Sequence, residues 1–345
     1  MAARLPANLY LHFPFCRRKC AYCALESRAG ASEAERAEYA AHLASRVSEE
    51  FSGRWRGAVL STVYFGGGSP ALCDLAPLFR VLAPLLAPDA EFSVELHPLD
   101  ATPQLLAELR SGGVNRVSMG VQSLDDSVLA AMGRGYCADE ARAAFDMTAS
   151  AFPNAGIDLI VGWPGDKSDY RALASWPLAH VSAYSLIREE RTALDALVRR
   201  GRLALPDDDE VLDRLAALSE LLAECGFRRY EISNYARPGR ECRHNLATWR
   251  GEDYIGLGRG AAGRIGLERT LDGETTETLS PEADRLERAI FRLRTREGLD
   301  ASLFPQWRSR LDAFVREGIL DGGFPIYRLT PRGTEVCDSI LSELV

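Results

Sequence analysis

Lysine is nearly missing from this chain: of 41 Lys and Arg residues only Lys19 and Lys167 are lysine, a pattern of genome composition more than of function. A basic balance is missing too. The formal charge of −8 leaves no generic electrostatic hold on nucleic acid phosphates or acidic membranes. No apolar stretch reaches the ~20 residues of a spanning helix, so no integral membrane segment is expected. The opening MAARLPANLY has no signal-peptide core. Eight cysteines without a dense disulfide framework point to a cytoplasmic protein. Repeats and long low-complexity linkers are absent as well. What remains is 345 residues, 46% hydrophobic, enough for one large α/β unit and a smaller one.

Three of the cysteines carry a pattern. Cys16, Cys20 and Cys23 follow the apolar run Asn8 to Phe13 with the spacing C-x3-C-x2-C, in the segment LYLHFPFCRRKCAYC. A cuboidal [4Fe-4S] cluster needs thiolates converging from three directions, which an irregular loop supplies and a regular helix does not; the fourth iron stays open to a small chelate. Structural zinc is the alternative, but it asks for four ligands, usually as two separated pairs. Cys73, Cys137, Cys225, Cys242 and Cys337 are scattered, with no second C-x2-C. They read as small apolar residues, with Cys242 a possible exception. With Tyr22 before its last cysteine, the loop resembles that of the radical S-adenosylmethionine (SAM) enzymes.

Short β-type runs alternate with helical patterns in the first half of the chain, the order of parallel strands with crossover helices. Six strands are expected, at Asn8 to Phe13, Val59 to Phe65, Glu91 to Glu95, Arg116 to Gly120, Gly156 to Val161 and His180 to Tyr184. Between the first two, Tyr39, Leu43, Val47 and Phe51 share one helix face behind a Ser32/Glu35 capping box. Further helices are expected at Leu72 to Leu86 and Pro103 to Arg110.

Each unusual motif falls just beyond the C-terminal end of a strand, the rim where (β/α) barrels build active sites. They are the cysteine loop, Gly66-Gly67-Gly68-Ser69-Pro70, Glu95, Gln122 and Gly162-Trp163-Pro164-Gly165. Alone, GGGSP is a tight turn; beside the cysteine loop it resembles the segment whose backbone receives the methionyl amine of SAM. At this rim Gln122 is placed for ribose hydroxyls and Glu95 for an amine or hydroxyl. Arg134 offers a bidentate partner for the methionyl carboxylate. Asp158, an acid inside a strand, needs a partner, and GIDLIVGWPG resembles the strand that borders adenosine.

The likeness extends further. VYFGGGSP, VNRVSMGVQSLDDSVLAAMGRGY, IDLIVGWPG, VSAYSL and EISNYARPGRECRHNLATWRGEDYIGLGRGA resemble the HemW group, haem chaperones related to oxygen-independent coproporphyrinogen III oxidase. The resemblance implies an α/β fold: a partial (β/α)6 radical SAM barrel over residues 1–230, then a smaller α+β domain over 231–345. It implies a SAM-liganded [4Fe-4S] cluster, an electron donor to that cluster, haem binding, delivery to a haem-acceptor protein, and contact of Tyr10 with the SAM carboxylate region. The oxidase alternative would use a 5′-deoxyadenosyl radical to abstract hydrogen from a porphyrinogen. That branch carries a fourth cysteine where this chain has Leu25, and a longer N-terminal arm; both differences favour the chaperone.

The HemW motif HNxxYW becomes His244-Asn245-Leu246-Ala247-Thr248-Trp249, with Thr248 in the tyrosine position. Imidazole is a common axial ligand of haem iron, so His244 and Trp249 are the haem-site residues the resemblance implies; Cys242 reads either as a second iron ligand or as a buried thiol. The glycines at 256, 258 and 260 lack the context of a dinucleotide loop and are expected to pack backbone closely at the barrel. From about residue 281 the pattern suggests a winged-helix-like unit. Its ten Arg against eleven Asp plus Glu over 281–345 suit protein contact or capping better than DNA.

Overall fold

The computed structural model describes residues 5–344. Its centre is a sheet of six parallel strands in chain order: Asn8–Phe13, Leu60–Gly67, Leu86–Leu96, Arg116–Gln122, Ala155–Val161 and His180–Ser185. All six expected strands are present. The alternation along each explains the layering. Leu9, Leu11 and Phe13, then Val63 and Phe65, Phe92 and Val94, Val117, Met119 and Val121 are fully buried in the main core, under the helices. Each such side chain contributes roughly 1.5–3 kcal/mol of burial.

The opposite face is polar. Glu95, Arg116, Ser118, Asp158 and Ser182 line a cavity, so the barrel lumen is not the apolar packed interior of a closed (β/α)8 barrel.

Strands from beyond residue 230 complete the sheet. Ile255–Leu257 pairs parallel to the first strand, and Asn234–Ala236 pairs antiparallel to the sixth, giving an open nine-stranded sheet edged by Arg228–Arg229. The close packing expected of the glycines is present at Gly258: a Cβ there would lie 2.6 Å from the His12 carbonyl oxygen and 2.7 Å from the Tyr39 hydroxyl.

Helix Glu33–Ser52 starts as expected: Glu35 N–H donates to Ser32 Oγ at 3.2 Å and Ser32 N–H to Glu35 Oε2 at 2.8 Å. The expected helix at Leu72 to Leu86 is instead three short pieces, Pro70–Leu72, Ala76–Leu82 and Ala83–Leu85. Pro77 and Pro84 each sit in the first turn of a piece, where their missing N–H is tolerated but could not continue the preceding helix.

The C-terminal unit runs helix Pro281–Leu293, strand Leu299–Asp300, helix Arg308–Arg316, then the hairpin Leu320–Gly323/Ile326–Leu329. This is the winged-helix-like order. It has its own core around Leu293, Leu311, Phe314 and Tyr327. Among the described residues no helix is long and apolar enough to cross a membrane.

Candidate functional site

A cavity of about 870 Å³ opens at the C-terminal ends of the parallel strands. Cys16, Cys20, Cys23 and Tyr22, Gly67 and Gly68, Glu95, Gln122, Arg134 and Asp158 all line it, so the structure brings together the cysteine loop, the glycine run, Glu95 and Gln122, while Gly162 to Gly165 lie outside the lining. Tyr10, Gly66, His244 and Trp249 lie outside its lining.

The cysteine loop is held from several sides. Ala21 N–H donates to Met132 O at 3.0 Å and Leu194 N–H to Ala21 O at 2.8 Å. One of the two lysines is spent here: Lys19 Nζ donates to Leu25 O at 2.6 Å and Ser27 Oγ at 2.8 Å. Tyr22 meets Trp163 edge-on, with ring centroids 6.5 Å apart. The three thiols are free, and burial pushes the Cys16 thiol up. Among the described residues no three His, Cys, Asp or Glu side chains converge on a single ion. A cuboidal cluster takes one thiolate per iron, and three free thiols on the wall of one cavity supply three such ligands.

The glycine run forms a cradle against this loop. Gly68 N–H donates to Phe13 O at 2.7 Å, and a Cβ at Gly68 would lie 2.3 Å from Phe15 O and 2.9 Å from Cys16 Sγ. Gly67 adopts φ +106°, a region open to glycine; its Cβ would strike the His12 ring at 2.6 Å. Gly66 packs against Tyr10, Tyr64 and Glu95. The Tyr10 hydroxyl is within 2.9 Å of His12 Nδ1 and its ring stacks on that of Tyr64 with centroids 6.0 Å apart, so Tyr10 stands beside the lining residue Tyr64 without lining the cavity itself.

Glu95 accepts from Tyr64 OH at 2.9 Å and Gly67 N–H at 3.0 Å. Burial first, then the nearby Asp158 charge, raises it from 4.5 to about 7. Asp158 has the partner its position demands: Ser118 Oγ donates at 2.9 Å, yet burial still raises its pKa. Gln122 sits at φ +72° beside a register shift at Gly120. Non-glycine residues reach that region at a cost, and such strain concentrates at functional sites.

Arg134 is already engaged: Nε donates to Tyr136 OH at 2.8 Å, Nη2 to Gly120 O at 2.7 Å and Nη1 to Cys20 Sγ at 3.1 Å. It is part of the cysteine-loop environment, nearer the thiols than the sequence suggested.

The HNxxYW-like segment forms helix Arg243–Trp249, but His244 and Trp249 do not share a surface. His244 is 5% exposed, with Nδ1 2.8 Å from Thr62 Oγ1 and its N–H donating to Glu91 Oε1 at 3.1 Å. Its ring lies 5.3 Å from that of Tyr64. Thr62 lies in the N-terminal half of its strand and Glu91 is its register partner on the next one, so His244 plugs the barrel from the end opposite the cysteine loop. Burial lowers its pKa to about 3. Trp249 instead meets Phe291 of the C-terminal unit edge-on at 5.7 Å. Thr248 returns its hydroxyl to His244 O at 3.2 Å. Cys242 is a fully buried thiol donating to Glu91 Oε1 at 3.5 Å.

Arg116, Ser118, Ser182 and Tyr184 also line the cavity and were missed in the sequence. The signal was there: in RVSMGVQ and HVSAYS every second residue is polar or glycine, and the period of two puts those residues on one sheet face.

Known proteins resemble this chain. The Radical SAM superfamily model matches residues 10–176. The protein named Heme chaperone HemW of Mycobacterium tuberculosis is 36% identical across 99% of this chain and 95% of its own length. The protein of the same name in Escherichia coli is 34% identical across 80% of this chain and 75% of its own. The structure of coproporphyrinogen III oxidase (HemN) from Escherichia coli, described as a radical SAM enzyme, superposes with a TM-score of 0.80 at 21% identity, covering 98% of this chain and 90% of that one; it supports the fold alone. With a relative more than a third identical along nearly its whole length, the chain belongs to the HemW family of the radical SAM superfamily.

Proposed function

We propose that this protein is a haem chaperone that carries a SAM-liganded [4Fe-4S] cluster and passes haem to an acceptor protein. The observation that carries the cofactor half is three free thiols on the wall of one cavity, beside a glycine cradle and a buried carboxylate. The haem half is supported by the likeness to proteins named Heme chaperone HemW, which for the Mycobacterium tuberculosis protein runs along nearly the whole chain. Cys16, Cys20 and Cys23 would hold the cluster, Gly66 to Gly68 and Glu95 the methionyl amine, and Gln122 and Asp158 the nucleoside side. When bound, the cluster and SAM supply one-electron chemistry; the protein's part is to orient the ligands and exclude water. A reducing, cytoplasmic setting belongs to the same proposal, because the thiolates must stay unpaired.

Haem titration of the reconstituted protein, run beside an anaerobic coproporphyrinogen turnover assay, tests this. The expected result is a saturable Soret band and no decarboxylation; carbon dioxide release without haem binding would favour the oxidase-like alternative. His244→Ala is expected to leave the Soret band in place while lowering the melting temperature, since the imidazole is buried and bonded to Thr62. A shifted Soret band in that variant would instead restore His244 as an iron ligand.

Arg134→Ala should keep the cluster but move its reduction potential more negative, because a cation bonded to the Cys20 sulfur favours the reduced state. SAM affinity should fall roughly tenfold, the scale of one charge-assisted hydrogen bond. Redox titration followed by EPR, with calorimetry for SAM, reads both; no change in either returns Arg134 to a purely structural role.

A further inference from the structure

We propose that Arg116, at the floor of the barrel cavity, is the binding site for a carboxylate carried by a ligand that enters the lumen. Arg116 is 2% exposed, and its Nε and Nη1 are inaccessible with no hydrogen-bond partner. Among the described residues it makes no ion pair within 4.0 Å, yet it lines the cavity. A buried guanidinium left without acceptors is costly.

The nearby acids, Glu91 first, favour its charge but none bonds to it, because each is served by other donors. Glu91 accepts from the N–H groups of Arg243 at 3.0 Å and His244 at 3.1 Å. Glu95 holds Tyr64 and Gly67, and Asp158 holds Ser118. What the guanidinium lacks is a planar pair of acceptor oxygens, which a carboxylate supplies in fork geometry. Tyr64, Ser118 and Ser182 stand on the same cavity wall, with the Tyr64 and Ser118 protons already given to Glu95 and Asp158, so the guanidinium is the donor such a group would find.

The ligands of the proposed function bring that chemistry from two sources, the methionyl carboxylate of SAM and the propionates of a tetrapyrrole, and the inference rests on that reading for its choice of probes. The test titrates the reconstituted full chain and its Arg116→Met variant with two matched pairs: SAM and decarboxylated SAM, haem and haem dimethyl ester. The expected result is that Arg116→Met weakens one acid at least tenfold while its uncharged counterpart binds wild type and variant alike; the pair that shows this identifies the source. Equal losses for acid and counterpart, or no loss for either acid, overturn the assignment and leave Arg116 a counter-charge solvated by water.

Should Arg116→Met fail to fold, Arg116→Lys takes its place. It keeps the charge and loses the fork, so a smaller loss confined to the same acid is expected, and an equal loss for acid and counterpart overturns the site. Failure of wild type to bind both SAM and haem counts against the proposed function instead. Carbon-13-labelled propionate alone then decides the site: saturable line broadening with wild type and none with the variant supports it, and no broadening with wild type overturns it.

Discussion

Alanine at any one of Cys16, Cys20 or Cys23 leaves the reconstituted protein without iron–sulfur absorbance and with iron far below the four atoms of a [4Fe-4S] cluster. The expectation is all-or-none because in the proposed cluster each thiolate would be the sole protein ligand of its own iron, with the open corner taken by SAM. No spare thiol can step in. Cys242 is buried and turned to Glu91 at the far end of the barrel, and Cys73 is buried with its thiol pushed up to about 12. The loop backbone cannot easily re-register, since Ala21 is bonded both to Met132 and to Leu194. Cys137→Ala and Cys225→Ala, which change thiols outside the cavity, should keep full iron content. Retention of the absorbance in all three loop variants would remove the cluster from these cysteines.

The six parallel strands were legible because their outward residues are mostly apolar, and the rim was legible because glycines, cysteines and strand-end polar residues cluster at their C-terminal ends. What the sequence did not disclose depends on long-range pairing. Ile255–Leu257 joins the first strand across more than two hundred residues, and three residues carry too little periodicity to announce that. The failed helix at Leu72 to Leu86 is different: Pro77 and Pro84 were visible, and each was a local reason to divide it. The separation of His244 from Trp249 was also within reach. Five residues along a helix rotate a side chain by about 140° beyond a full turn, so a motif written as one string faces two ways once it is helical. Burial of His244 against Thr62 and Tyr64 was not within reach, because it depends on which end of the barrel the helix Arg243–Trp249 covers.

SAM affinity of the wild-type protein should rise with pH up to about 7 and level off above it, and Glu95→Gln should abolish that dependence. Only the ionised carboxylate can pair with a methionyl ammonium group, and burial holds the free Glu95 at about 7. Below that value binding must first expel a proton, so affinity falls by up to tenfold per pH unit, roughly thirtyfold by pH 5.5. Stability runs the other way. The folded pKa lies above the unfolded value near 4.5, so the contribution of neutral Glu95 is complete below pH 4.5 and is lost as pH rises through 7. Neutralising the position should therefore raise the melting temperature at pH 8 and change it little at pH 5. The gain is roughly 3 kcal/mol from the shift, less about 1 kcal/mol for the Gly67 hydrogen bond that an amide nitrogen cannot accept. Calorimetric titrations from pH 5.5 to 8 and melts at pH 5 and 8 read both signs. A flat wild-type profile, or a slope that persists in Glu95→Gln, would place the coupled proton on another group.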